Sequence, residues 1–212
     1  MTNEYHKLID KILQFFAGDQ FQDEIRLAKR EFFENSSVFD ETSSHFELRM
    51  SQFFDWYFFT RKLRGYDCTP VEAALLPREL KYTPDEVNMI GILKLHRNSI
   101  FEYVKTKGTD LCIKDLITDK KIWVKESPFL NGFSSVELFQ VRIVPIGDNY
   151  IFMRGFCFHP PESRKFILKE VKRHQKNADL SVEKLLLKLV KMRYKYEQYK
   201  HVNIDMIYCE QP

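Results

Sequence analysis

Apolar residues in the first hundred positions recur at a helical period. Leu8, Ile9, Ile12, Leu13 and Phe16 share one face and Gly18 follows as a stop, which predicts a helix over residues 3–16. Asp19 with Gln22 fits a capping box, and Phe21, Ile25, Ala28 and Phe32 supply the buried face of a second helix. Ser44 and Glu47 repeat that pattern ahead of Phe46, Met50, Phe53, Phe54, Tyr57 and Phe58. This wide stripe predicts a third helix, running to about Leu63, at the centre of the core. Thr69-Pro70-Val71-Glu72 and Thr83-Pro84-Asp85-Glu86 each place a hydroxyl at the N-cap, proline at the first helical position and glutamate at the third, so two more helices start there.

After Asn98 the period shortens to about two. Residues 100–104, 111–116, 121–125, 136–144 and 150–158 read as five strands. Gly108-Thr109-Asp110, Thr118-Asp119-Lys120 and Gly147-Asp148-Asn149 are short enough for hairpins, and Asn131-Gly132 marks a longer connection. A five-stranded meander leaves two exposed edges unless it curls, so the expected form is an antiparallel, small SH3-like or partly open barrel. Pro160 and Pro161 end the last strand and open a sixth helix near Glu162. Ser181 caps a seventh, with Val182, Leu185, Leu186, Leu189, Met192, Tyr196 and Tyr199 inward.

The expected fold is therefore α+β: N-terminal helices (1–98), an antiparallel β part (99–159) and two C-terminal helices (160–212). At 212 residues, with 44% hydrophobic, one domain is the expectation. The densest apolar run, Trp56 to Phe59, is far short of a membrane span, and the start Met1-Thr2-Asn3-Glu4 carries no signal-peptide pattern. Cys68, Cys112, Cys157 and Cys209 lie far apart without a C-x-x-C pair, which suits free thiols in a reducing compartment and a cytoplasmic location.

Charge changes the picture more than composition does. Residues 163–201 hold 12 Lys and Arg against 4 Asp and Glu, a balance of +8, while the rest of the chain carries 21 against 26. Lys165, Lys169, Lys172 and Lys176 fall along one side of the sixth helix with Arg173 beside them, and Lys184, Lys188, Lys191 and Lys195 along one side of the seventh. If coplanar, these rows form a surface for an acidic partner, either nucleic acid or protein. The plainer reading is a solvated face of two amphipathic helices.

No Gly-rich phosphate loop, G-x-S-x-G elbow or H-E-x-x-H helix occurs, so no cofactor is expected. Cys157 and His159 lie on one side of a strand, but no second pair completes a metal site, and no metal is expected. Asp55 and Trp56, set among aromatic residues, are compatible with a ligand wall as well as with packed core. Together with Cys68, Arg142 and His159 they form a candidate pocket between barrel and helices.

The run Gln52-Phe53-Phe54-Asp55-Trp56-Tyr57-Phe58-Phe59, then Gly65 and Cys68-Thr69-Pro70-Val71-Glu72, resembles an uncharacterised bacterial family with an F-x-D-W-F-x-F…G-x-T-P-x-E signature. Asn98-Ser99-Ile100-Phe101-Glu102, Val141-Arg142-Ile143-Val144-Pro145 and Phe158-His159-Pro160-Pro161-Glu162 extend the likeness. Some members of that family carry a zinc-binding tail of the SEC-C type. This sequence has no C-x-C or C-H pair after Tyr208, so no zinc role is carried over. The expectation is a non-catalytic binding or adaptor module. The alternatives are an enzyme using Cys68, Asp55, His159 or Arg142, and a structural homo-oligomer.

Overall fold

A computed structural model describes residues 2–36, 45–127, 136–177 and 181–209. Five helices come first: α1 (Thr2–Phe16), α2 (Gln22–Ser36), α3 (Phe46–Phe59), α4 (Pro70–Ala73) and α5 (Pro84–Leu93). Both proline-led starts form the expected reciprocal caps, with Glu72 accepting from the Thr69 amide and Glu86 from the Thr83 amide, each at 2.8 Å. The expected box at Asp19 does not form. Asp19–Phe21 is a single 3-10 turn, and Gln22 spends its side chain on the Asp19 carboxylate at 3.4 Å instead of a backbone group. Ser44, the expected cap of α3, lies outside the described residues. α3 ends at Phe59 and not near Leu63, because the chain turns out of the helix to aim Arg61 at Glu24 and Glu31.

The β region comprises β1 (Arg97–Lys107), β2 (Asp110–Asp115), β3 (Lys120–Val124), β4 (Leu138–Ile146), β5 (Asn149–Phe152) and β6 (Cys157–His159). Two-residue loops opening on Gly108 and Gly147, both at positive φ, join β1 to β2 and β4 to β5. β4 pairs with β1 along one edge and with β5 and then β6 along the other, so the sheet closes in the order β1-β2-β3-β5-β4 and back to β1. The barrel is mixed and not wholly antiparallel: β3 and β5 meet in parallel at Val124 and Tyr150. An odd number of strands alternating in direction cannot close without one parallel pair. The expected continuous strand 150–158 is broken at residues 153–156 into β5 and β6.

α6 (Arg164–Lys176), α7 (Val182–Gln198) and the short α8 (Ile204–Ile207) complete the chain. β4 shows how the layers meet. Phe139, Val141 and Ile143 point into the barrel with Phe101, Leu111 and Phe152. Alternation sends Leu138, Gln140, Arg142 and Val144 to the outer face, where Leu138 packs with Ile167, Leu186 and Leu189 and Val144 joins the core of α1 to α5. Helices thus cover the barrel on both sides, and every residue of β4 from Leu138 to Val144 is buried. On α7 the inward set is Leu186, Leu189, Val190, Met192 and Tyr194, whereas Tyr199, expected inside, is exposed beyond the last turn.

Candidate functional site

Burying the outer face of β4 also buries its polar members, and Arg142 keeps only 3% of its surface exposed. Its guanidinium is held by Thr60 Oγ1 at 2.8 Å, His96 Nδ1 at 3.0 Å and the Glu183 carboxylate at 3.5 Å, and it stacks over the Phe59 ring. Burial, reinforced by Arg142, pushes the His96 pKa down to about 3, so the imidazole is neutral and accepts from the guanidinium. The Nε hydrogen of Arg142 meets no acceptor among the described residues.

Asp55 approaches the same region from α3. Its Oδ2 accepts the Gly155 amide at 2.8 Å, across the gap that interrupts β5 and β6. A methyl group at Gly155 would stand 2.7 Å from that oxygen, so only glycine admits the carboxylate. Burial raises the Asp55 pKa to about 6 against the opposing pull of Arg142, the Gly155 amide and Arg154.

Asp55 stands between two cavities. The inner one, about 40 Å³, is bordered by Trp56, Gln140, Arg142 and Cys157 and has room for one or two waters. The outer one is an open cleft of about 310 Å³ between α1, α3 and residues 153–154. Ile9, Leu13, Ala17, Phe54 and Met153 form its apolar walls. Asp10 and Arg154 form a two-pronged ion pair beside it, and His6 donates from Nε2 to the Phe152 carbonyl at 3.2 Å. Burial, and then Arg154, lowers the His6 pKa.

Of the five expected pocket residues, Asp55, Trp56 and Arg142 meet at the inner cavity and the other two do not. Cys68 packs against the helical core near α4, and burial, with Glu72 and Asp67 adding to it, raises its thiol pKa. His159 is buried with both ring nitrogens engaged, by Gln140 at 2.9 Å and Tyr208 at 3.0 Å, and burial pushes its pKa down to about 3. Its neighbour Cys157 is held as a thiol by a pKa pushed up to about 12 by burial. The pair expected to share one strand side does so, yet as part of a hydrogen-bonded interior.

A family model described as a family of unknown function (DUF7986) matches residues 1–205. The chain belongs to that family. No curated protein and no solved structure matches it. No helix among the described residues is long and apolar enough to cross a membrane.

The cationic rows of this DUF7986 member have separate fates. Lys165, Lys169, Lys172, Arg173 and Lys176 line a groove of about 600 Å³ around Leu168, with no carboxylate in its walls among the described residues. Glu170, the one acidic residue of α6, faces the other way, is buried, and accepts from Arg173 at 3.2 Å and Lys188 at 3.1 Å. Lys188 is thereby drawn inward from the α7 row. Lys184 and Lys191 stay exposed, and Lys195 is half-buried. By contrast, a second Arg-rich groove, at Arg26, Arg30 and Arg64, is interspersed with paired carboxylates: Arg26 meets Asp23, and Arg64 meets Glu24.

Sequence reasoning missed Gly155, His96 and the α1 side of the cleft. One signal was present: a lone glycine inside a strand-like run marks a break or a close backbone approach.

Proposed function

We propose that the protein is a non-catalytic cytoplasmic binding module, acting as one domain, whose α6 face takes an acidic partner. The observation that carries this reading is the groove of five cations around Leu168, with no carboxylate in its walls among the described residues. Lysines three and four apart on one helix repel by a few tenths of a kcal/mol per pair. An incoming polyanion relieves that repulsion and gains from counterion release. Lys184 and Lys191 on α7 would extend the field, while Lys188 and Arg173 are partly spent on Glu170.

The test is fluorescence anisotropy of the full chain with labelled duplex DNA, single-stranded RNA and polyglutamate at about 50 and 200 mM salt. Four or five phosphate contacts imply a loss of about a hundredfold between those salts. Replacing Lys165, Lys169, Lys172 and Lys176 with Gln should abolish binding without unfolding the chain. Preference for polyglutamate would identify an acidic protein as the partner class. Absence of binding to all three probes at the lower salt refutes the reading.

A further inference from the structure

The outer cleft carries an inference independent of the basic groove. Its walls are mainly apolar, with Gln14 and Ser51 as neutral polar members, and Asp55 lines it with a carboxylate whose second oxygen, Oδ1, has no hydrogen-bond partner among the described residues. The other charged groups beside it are already matched. Arg154 is committed to Asp10 through both terminal guanidinium nitrogens, and His6 is turned to the Phe152 carbonyl. Across the inner cavity, the Arg142 charge is shared with Glu183. Among the described residues, Asp55 is the carboxylate of the cleft without an ion pair, although Arg142 and Arg154 favour its ionised form. An anionic head group would meet Asp55 and Asp10, and Arg154, the arginine lining the cleft among the described residues, is already paired with Asp10. A purely apolar guest would seal the Asp55 oxygen from water without replacing its hydrogen bond.

We propose that this cleft binds a small molecule made of an apolar body and a protonated amine, with the amine on Asp55 Oδ1 and the body against Ile9, Leu13, Ala17, Phe54 and Met153. Its volume of about 310 Å³ lies at the lower end of the range for small-molecule sites, and mainly apolar walls with a few placed polar groups are the usual construction. Phe54 adds an aromatic ring that a neighbouring cation favours. Gly155 keeps the carboxylate in place by engaging Oδ2 and leaving Oδ1 to the guest.

The experiment titrates the full chain with three probes of one shape, 2-phenylethylamine, 2-phenylethanol and 3-phenylpropanoate, followed by amide resonances in NMR. The amine should bind at about millimolar affinity and shift residues of α1 and α3 around the cleft. At pH 7 it should bind about fivefold or more tighter than the alcohol, a difference of roughly 1 kcal/mol. Protonating Asp55 should weaken the amine about threefold between pH 7 and pH 5, to near the affinity of the alcohol, and leave the alcohol unchanged. Asp55→Asn should bind amine and alcohol alike. Should that variant fail to fold, Ala17→Phe fills the cleft from the end of α1, leaves Asp55 intact, and must abolish amine binding. Equal binding of amine and alcohol by the wild type at pH 7, tighter binding of the propanoate, no shifts up to about 10 mM amine, or undiminished amine binding by Ala17→Phe would each overturn the proposal.

Discussion

The amide of Gly155 and the carboxylate of Asp55, 100 positions apart in the chain, meet at 2.8 Å, and each explains the other. The strand 150–158 breaks where its backbone turns an N–H toward α3, and α3 keeps an acid in an apolar stripe because that N–H is there to receive it.

Gly155→Ala should therefore destabilise the protein by about 1–3 kcal/mol in urea unfolding, since the added methyl displaces a hydrogen-bonded, half-buried carboxylate. In an Asp55→Ala background most of that cost should vanish. Equal costs in both backgrounds would separate the two residues energetically.

Stability should fall as pH drops from 6 to 5. His96 and His159 have folded pKa values near 3 against an unfolded value near 6.5, so the unfolded chain takes up two protons that the folded one refuses. His6 acts in the same direction. Asp55 opposes them: with its folded pKa at about 6, the native state gains a proton there that the unfolded state lacks. The balance is about one net proton, or roughly 1.4 kcal/mol lost per pH unit. Asp55→Asn removes the opposing proton, so its stability should fall about twice as steeply over the same window in denaturant titrations.

Glu24 and Arg61 form a buried pair between α2 and the chain after α3, with Arg64 adding a contact to Glu24 at 2.8 Å. Burial pushes the Glu24 pKa up, but hydrogen bonds from Arg61 and Arg64 outweigh it and hold the carboxyl below its ordinary range. Glu24→Ala leaves the buried Arg61 charge with Glu31 as its remaining partner and should cost about 2 kcal/mol. Glu24→Leu combined with Arg61→Met should recover most of that loss, as urea midpoints will report.

Tyr208 anchors the C-terminal segment to the barrel through His159. An amide NH₂ can only donate, so Gln140 fixes His159 Nε2 as the acceptor, and the Nδ1 hydrogen points at the Tyr208 oxygen. Tyr208→Phe leaves that buried hydrogen without an acceptor and should destabilise by about 1–3 kcal/mol. In a His159→Phe background the same change should cost much less, and a double-mutant cycle measures the difference.

The helices were legible because their signals are local. The boxes at Thr69 and Thr83 need only residues three positions apart, and both form. The same pattern failed at Asp19, where a 3-10 turn claimed the backbone. Three of the five expected pocket residues meet, since alternation along β4 places Arg142 beneath the helices that carry Asp55 and Trp56. Cys68 and His159 do not join them, because which loop or strand end reaches the cavity depends on packing between elements. The α6 lysines share a groove as their spacing implied, while Lys188 was drawn to Glu170 by the neighbouring helix.

By itself the sequence determined the order of elements, the hairpins and the cationic side of α6, since periodicity, caps and turn residues act over a few positions. Only the tertiary structure decided the mixed closure of the barrel, the break opposite Asp55 and the cleft that this carboxylate faces. Those depend on long-range contacts, where the excluded volume of one methyl group at Gly155 or one unmatched oxygen on Asp55 outweighs any local preference.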